Sequence, residues 1–327
     1  METTLSDHRG SLWIKRLPDG RHALHAQTSG TWAPHTYIVT DYPLELIEEI
    51  FAQKGAGFTI DEIGRDAADN DAQLDVRYSV LSYLPDELLL QPLHILDYGC
   101  GAGSSTLALA RLFPHARIVA VDFVENSLRL ARLRQQHCHL DNAEFLQVPS
   151  SGHRLQRSGF DLVFLNAVYE HLLPAERPVV LATMWNALQP GGTLVLNQTP
   201  HRWFPIETHT SGLPLLNYLP APLARWAQIK LSSRSFGTET WEQMLRRGIR
   251  GATVAEILRN IRRVDRGATL LKPFRIASSW AGIWYAAKQC RMPAGRLARV
   301  ITLTGRFADA TGLPLSPYIS IAVRKPA

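Results

Sequence analysis

The hydrophobic positions change their rhythm near residue 93. Before it, Leu44, Ile47, Glu48 and Phe51 follow a 3.6-residue period that predicts a helix, stopped by Gly55 and Gly57, and a second helical piece runs from Leu74 to Leu84 and ends at Pro85. Residues 1–90 are therefore expected to form an N-terminal, mostly helical extension. From residue 93 strands and helices alternate: LHILDYGC and a helix from Ser104 to Phe113, then ARIVAVDF and a helix from Asn126 to Gln136. AEFLQV follows, then FDLVFLNAV with a helix through Trp185, then GTLVLNQT. Such alternation implies right-handed crossovers and a parallel sheet covered on both faces, an α/β core over residues 91–200. Residues 201–265 are richer in Pro, His and Arg and break the rhythm, as expected of a cap inserted over the strand ends after the fifth strand of the core. Residues 266–327 complete the core sheet and close with YISIAVR, Tyr318 to Arg324, suited to an edge strand.

Composition adds bounds. With 327 residues and 46% hydrophobic content the chain can bury a large core, which excludes a disordered chain. Cys100, Cys138 and Cys290 are too scattered for a disulfide framework or a CxxC metal site. The first residues carry no apolar core like that of a secretion signal, and no window has the roughly 18 apolar residues of a spanning helix. A cytoplasmic protein is expected, with peripheral contact at the inner membrane face as an option set by charge. Residues 1–90 hold 7 Lys/Arg against 15 Asp/Glu, whereas residues 201–327 hold 20 against 6. Within that last third, Arg246, Arg247, Arg250, Arg259, Arg262, Arg263 and Arg266 cluster in one short stretch, pointing either to an anionic partner or to a solvated surface.

The candidate chemistry starts with Leu96-Asp97-Tyr98-Gly99-Cys100-Gly101-Ala102-Gly103, after a strand and before a helix. Glycines there allow positive φ and close approach of backbone to a ligand, and Asp97 can accept hydrogen bonds from a bound amine. The next strand ends in Asp122-Phe123, which places a carboxylate for ribose hydroxyls and an aromatic ring beside a base; capping of the following helix is the alternative for Asp122.

On these residues the stretch from about Leu93 to Thr199, a third of the chain, resembles the class I S-adenosylmethionine-dependent methyltransferases. LDYGCGAG is similar to their first motif, VAVDF to their acidic second strand, FDLVFLNAVYEHL to their fourth strand and following Glu-His pair, and ALQPGGTLVLNQTP to the next turn and strand. The resemblance implies a seven-stranded Rossmann-like methyltransferase sheet with S-adenosylmethionine as cofactor. It places Asp97, Gly99, Cys100, Gly101 and Gly103 around the methionine part, Asp122 and Phe123 at the ribose and adenine, and Asn166 near the cofactor at the fourth strand end. Val148-Pro149-Ser150-Ser151 stands where many relatives carry an acid for adenine, leaving Ser150 as the candidate contact. The segment TPHRWFPIETHTSGLPLLNYLP, with WEQMLRRGIRG, is similar to uncharacterised methyltransferases of bacterial polysaccharide and natural-product pathways.

Methylation of a hydroxyl requires removal of its proton, and histidine titrates in the right range. Two clusters follow sheet strands: Tyr169-Glu170-His171, and His201 to Thr210. His209 is the first candidate base, oriented by Glu207, with His171 the second; His201 and Arg202 are candidates to hold an anionic acceptor. No metal is expected. Ubiquinone-pathway O-methyltransferases, which this region resembles, carry a metal-holding Glu four residues before the histidine of the Glu-His pair, and Ala167 stands there. The expected function is methyl transfer to a hydroxyl of a small molecule: a sugar, glycan precursor or other metabolite, anionic or lipid-linked. Methylation of RNA or protein is the alternative, and a non-catalytic cofactor-binding module a third. Nucleic acid is disfavoured, because Asn166-Ala167-Val168-Tyr169 lacks the Pro-Pro of amino-methylating motifs.

Overall fold

The computed structural model describes residues 2–327 except 29–34, 68–69, 150–154, 156, 233–236 and 314. The chain opens with four antiparallel strands, β1 (Glu2–Asp7), β2 (Gly10–Arg16), β3 (His22–Thr28) and β4 (Tyr37–Thr40), paired in that order. Helices occupy 44–54, 56–64, 71–83 and 86–89. The first forty residues thus differ from the mostly helical expectation. Leu12, Ile14, Leu24 and Ala26 alternate onto one face, which packs on Ile47, Ile50 and Ile60 of the helices behind it.

The core sheet contains β5 (His94–Tyr98), β6 (Arg117–Asp122), β7 (Ala143–Gln147), β8 (Phe160–Asn166), β9 (Leu188–Pro200), β10 (Thr269–Leu270) and β11 (Tyr318–Arg324). Their order is β10-β11-β9-β8-β5-β6-β7, with β11 antiparallel to both neighbours and β5 to β9 parallel. This is the seven-stranded Rossmann-like sheet. Ile95, Leu96, Ile118, Val163 and Phe164 are buried within it because helices cover both faces.

The N-terminal layer is tied to the loop after β5 by a buried cation. Arg134, on the helix Glu125–His137, is fully buried; it pairs with Glu62 (2.5 Å) and Asp66, and donates to the carbonyl of Ala102 in the glycine loop (2.7 Å). Losing one partner of such a pair costs about 3–5 kcal/mol, so the extension fixes the loop from behind.

Between β9 and β10 lies the expected elaboration, with its own small core of Leu216, Ala224, Met244 and Ile249. Its last helix, Val254–Val264, packs Ile257 and Ile261 into the main core beside Trp185, so that helix covers the sheet and the cap proper ends before it. A helical hairpin, Trp280–Gln289 and Arg296–Thr311, separates β10 from β11. The run Ile276 to Ala287 is largely core: Ile283 packs beside Val76 and Val80, and Ala281 and Tyr285 against Ala308.

Candidate active site

The loop Gly99–Gly103 leaves β5 with all three glycines at positive φ, 76°, 51° and 89°. Two of them are also enforced by packing: a Cβ on Gly99 would lie 2.6 Å from Cγ2 of Val168, and one on Gly103 would lie 2.9 Å from that of Ala131, pushing on the helix Glu125–His137. Asp97 is fully buried beneath the loop. Its Oδ2 accepts from the hydroxyls of Ser105 (2.8 Å) and Thr106 (2.6 Å), whereas Oδ1 has no protein partner. Burial pushes its pKa up to about 6. A buried, unsatisfied carboxylate oxygen costs stability unless a cation arrives, so Asp97 fits the ammonium of the cofactor's methionine part.

Asp122 ends β6 and accepts from the backbone N–H of Gly101 (2.9 Å, Oδ2) and Val124 (2.9 Å, Oδ1). The carboxylate thus holds the loop and the start of the next helix, and it also lines a cavity of about 770 Å³. Gly99, Phe123, Val148, Val168 and His171 share that cavity. Phe123 is exposed on its rim. The Asn166 carboxamide oxygen accepts from Asn197 (2.8 Å). Cys100 is buried, its thiol pushed well above its ordinary pKa by burial. Ser150 lies outside the described residues.

After β8 a single turn, Tyr169–His171, is pinned from below. The buried Tyr169 hydroxyl donates to Glu256 (3.2 Å) and accepts from Asn260 (3.2 Å), and Arg177 lies over its ring at 5.0 Å. With Tyr169 anchored, Glu170 points inward: it is fully buried, neither carboxylate oxygen has a hydrogen-bond partner, and burial pushes its pKa to about 8. His171 is half-buried. The carbonyl of Arg246 lies 2.8 Å from its Nδ1, which assigns the proton to Nδ1 and leaves a lone pair on Nε2, 3.8 Å from Glu170. Burial lowers the His171 pKa below its ordinary 6.5.

The cap brings His209 onto this pair, with its ring centroid 5.4 Å from that of His171. Ligand atoms of Glu170, His171 and His209 lie within 4.8 Å of one another. Glu207 reaches His209 only through the main chain in the contacts described. Its carboxylate accepts from the N–H groups of His209 (3.0 Å), Thr210 and Ser211 and from both hydroxyls, shaping the loop that presents the ring. His201 is buried with its ring edge-on to Trp280 at 5.5 Å, and the Arg202 guanidinium lies over Trp203 at 5.1 Å. Of the arginine cluster, Arg246 pairs with Glu176, Arg247 with Glu239, and Arg250 donates to the carbonyls of Asn217 and Leu219. Arg259, Arg262, Arg263 and Arg266 are exposed.

Sequence reading missed Glu170 as the partner of His209, and missed Gly248. That glycine has φ 89°, and a Cβ on it would lie 2.6 Å from Cδ2 of His209. Gly248→Ala is expected to displace the histidine and lower turnover at least about tenfold with little change in S-adenosylhomocysteine affinity. Equal loss of both, by calorimetry and methyl-transfer assay, would show that the cap acts on cofactor binding instead.

Residues 95–192 match the family described as methyltransferase domain. This part of the chain, from β5 into β9, is a class I S-adenosylmethionine-dependent methyltransferase domain, and S-adenosylmethionine is its cofactor. Among similar proteins, a demethylmenaquinone methyltransferase of Lactococcus lactis is 30% identical over 132 residues, covering 40% of this chain and 52% of that protein. A malonyl-[acyl-carrier protein] O-methyltransferase of Bacillus cereus is 31% identical over 142 residues, covering 43% of this chain and 50% of that one. The chain thus spans about half the length of these curated relatives. Among solved structures, an O-methyltransferase family protein from Burkholderia thailandensis superposes with a TM-score of 0.48 at 14% identity, covering 86% of this chain and 63% of that one.

Proposed function

We propose that the protein transfers a methyl group to a hydroxyl of a small molecule, with proton removal by the His171–His209 pair. The observation that carries this reading is the gathering of Glu170, His171 and His209 at the edge of the cofactor cavity. A carboxylate acceptor is already ionised at neutral pH and needs no base, whereas a hydroxyl does. S-adenosylmethionine supplies an electrophilic methyl and leaves as a neutral thioether, so the chain's task is to position the acceptor and take its proton. Asp97, the glycine loop and Asp122 hold the cofactor. His171, with Nδ1 fixed by a carbonyl, offers Nε2 to the acceptor hydroxyl, and Glu170, once ionised above about pH 8, stabilises the imidazolium that results. Arg202 and the exposed arginines suit an anionic acceptor, such as a phosphorylated sugar or a lipid-linked glycan precursor used at a membrane surface. Among the described residues no helix is long and apolar enough to cross a membrane.

A metal-assisted form of the same reaction has one observation in its favour, since His209 supplies a third ligand where the sequence has Ala167. One experiment tests both: transfer of labelled methyl to hydroxyl, carboxyl and amine acceptors, with enzyme dialysed against a chelator or untreated. Labelling of hydroxyl acceptors unaffected by dialysis is the expected result. Labelling of carboxyl or amine acceptors alone would overturn the hydroxyl reading, and activity lost on dialysis and regained with a divalent cation would establish the metal-assisted form.

A further inference from the structure

The second helix of the C-terminal hairpin, Arg296–Thr311, is amphipathic with its apolar stripe turned to solvent. Its inner side rests on the first helix: Gly305 and Ala308 are buried, and a Cβ on Gly305 would lie 2.6 Å from that of Tyr285. On the outer side Leu297, Val300, Leu303 and Phe307 are 65%, 59%, 64% and 53% exposed. Their spacing of three, three and four residues aligns them along the helix. Arg296, Arg299 and Arg306 are exposed with them, and among the described residues none of the three has an ion pair or hydrogen bond. The helix carries one carboxylate, Asp309, and its oxygens are taken by Ser278 and Ser279.

A helix that merely faces water carries polar residues on its outer side. An apolar ridge edged by arginines has instead the composition of an interfacial helix, whose side chains enter the headgroup boundary while the cations meet lipid phosphates. Charge selects among occupants of this face. A second copy laid against it would set arginine against arginine with no acid free to pair, whereas an anionic bilayer complements it.

We propose that helix 296–311 docks the protein on an anionic lipid bilayer. The inference rests on the membrane-surface part of the reading above and is independent of the methyl-transfer chemistry. It also bears on access to the site. The preceding helix of the hairpin contributes Trp284 and Lys288 to a second cavity, of about 390 Å³, shared with Asp75, Phe204, Thr208 and Tyr318. Buried Asn197 donates both to Asn166, which precedes Ala167 of the first cavity's wall, and to the carbonyl of Asp75 in the second. A bilayer held by the outer helix therefore lies one helix away from the element that walls this cavity.

The test is co-sedimentation of the full chain with phosphatidylcholine vesicles, with and without phosphatidylglycerol, at low and high salt. Binding is expected only to the phosphatidylglycerol vesicles, weakening at least about tenfold as salt screens the arginines. A Leu303→Asp/Phe307→Asp variant and an Arg296→Glu/Arg299→Glu/Arg306→Glu variant should each lose at least about tenfold in partitioning. Both should keep the melting temperature and S-adenosylhomocysteine affinity, because every altered side chain is exposed. No binding of the parent chain at low salt, or variants that bind as the parent does, overturns the proposal. So does a dimer, seen by sedimentation without lipid, that Leu303→Asp/Phe307→Asp dissolves. Failure to bind vesicles with methyl transfer intact rejects docking alone, whereas absent methyl transfer with docking intact rejects the chemical reading alone.

Discussion

Asp97→Asn lowers the affinity for S-adenosylhomocysteine by about 1.5–3 kcal/mol, the range for hydrogen bonds to charged groups, or roughly tenfold to over a hundredfold in Kd. The substitution keeps the shape and leaves an acceptor for Ser105 and Thr106, but can place an N–H₂ where Oδ1 stands without a partner. The loss is therefore electrostatic, and its pH dependence identifies it. Burial holds the Asp97 pKa near 6 in the free protein, so the carboxylate is protonated below that value and ionised above it. Affinity of the parent chain should fall as pH drops below 6, while Asp97→Asn shows no such fall. Calorimetry across that range decides, and parallel pH profiles in the two proteins would remove Asp97 from ammonium binding. Asp122→Ala gives a loss of similar size for a different reason. It releases the N–H groups of Gly101 and Val124 together with any ribose contact, so it should also lower the melting temperature of the free protein, unlike a pure loss of ligand contact.

These two carboxylates were legible in the sequence because each ends a strand whose neighbours are apolar on both faces, and glycines that only a tight turn requires lie between them. The same reasoning located β5, β6 and β8 and the helices after β5 and β6. It failed for β1 to β4, where ETTLSD buries no residue fully and GSLWIKR and HALHAQT bury only alternate ones, Gly10 and Ala26 among them, so the hydrophobic signal is correspondingly thin. Arg134 was invisible for another reason. It reads as one more charge on a polar helix, and its burial exists only because Glu62 and Asp66 arrive from the extension. The cap shows the same limit. Glu207 was matched to the His209 ring by proximity in sequence, yet a carboxylate so close along the chain is captured by the N–H groups of its own loop. The group that faces the histidines is Glu170, and folding of the cap through Gly248 brings it to His209.

His209→Ala and His171→Ala should each lower turnover by roughly a hundredfold or more, the usual contribution of general-base catalysis, and the pH profile separates their roles. Burial lowers the His171 pKa below 6.5, so its base form is present at neutral pH; activity should rise as pH climbs through that pKa and be lost below it. Glu170 adds a second step. Its carboxyl stays neutral until about pH 8, and on ionising it places a negative charge 3.8 Å from the nitrogen that takes the proton. An ionised carboxylate at that distance stabilises the imidazolium formed in the transition state, so the parent enzyme should gain activity again near pH 8. Glu170→Gln should keep the lower step and lose the upper one. His171→Ala should lose both, since the remaining imidazole, that of His209, reaches Glu170 from the cap and does not line the cavity, while His209→Ala keeps both steps at reduced height if His209 positions the acceptor. Cofactor affinity should change little in the His209 variant, whose ring reaches the site from the cap. A single-step profile in the parent enzyme, or an upper step that survives Glu170→Gln, would mean that the buried carboxyl does not act on the base, and the rise near pH 8 would then belong to the acceptor's own ionisation.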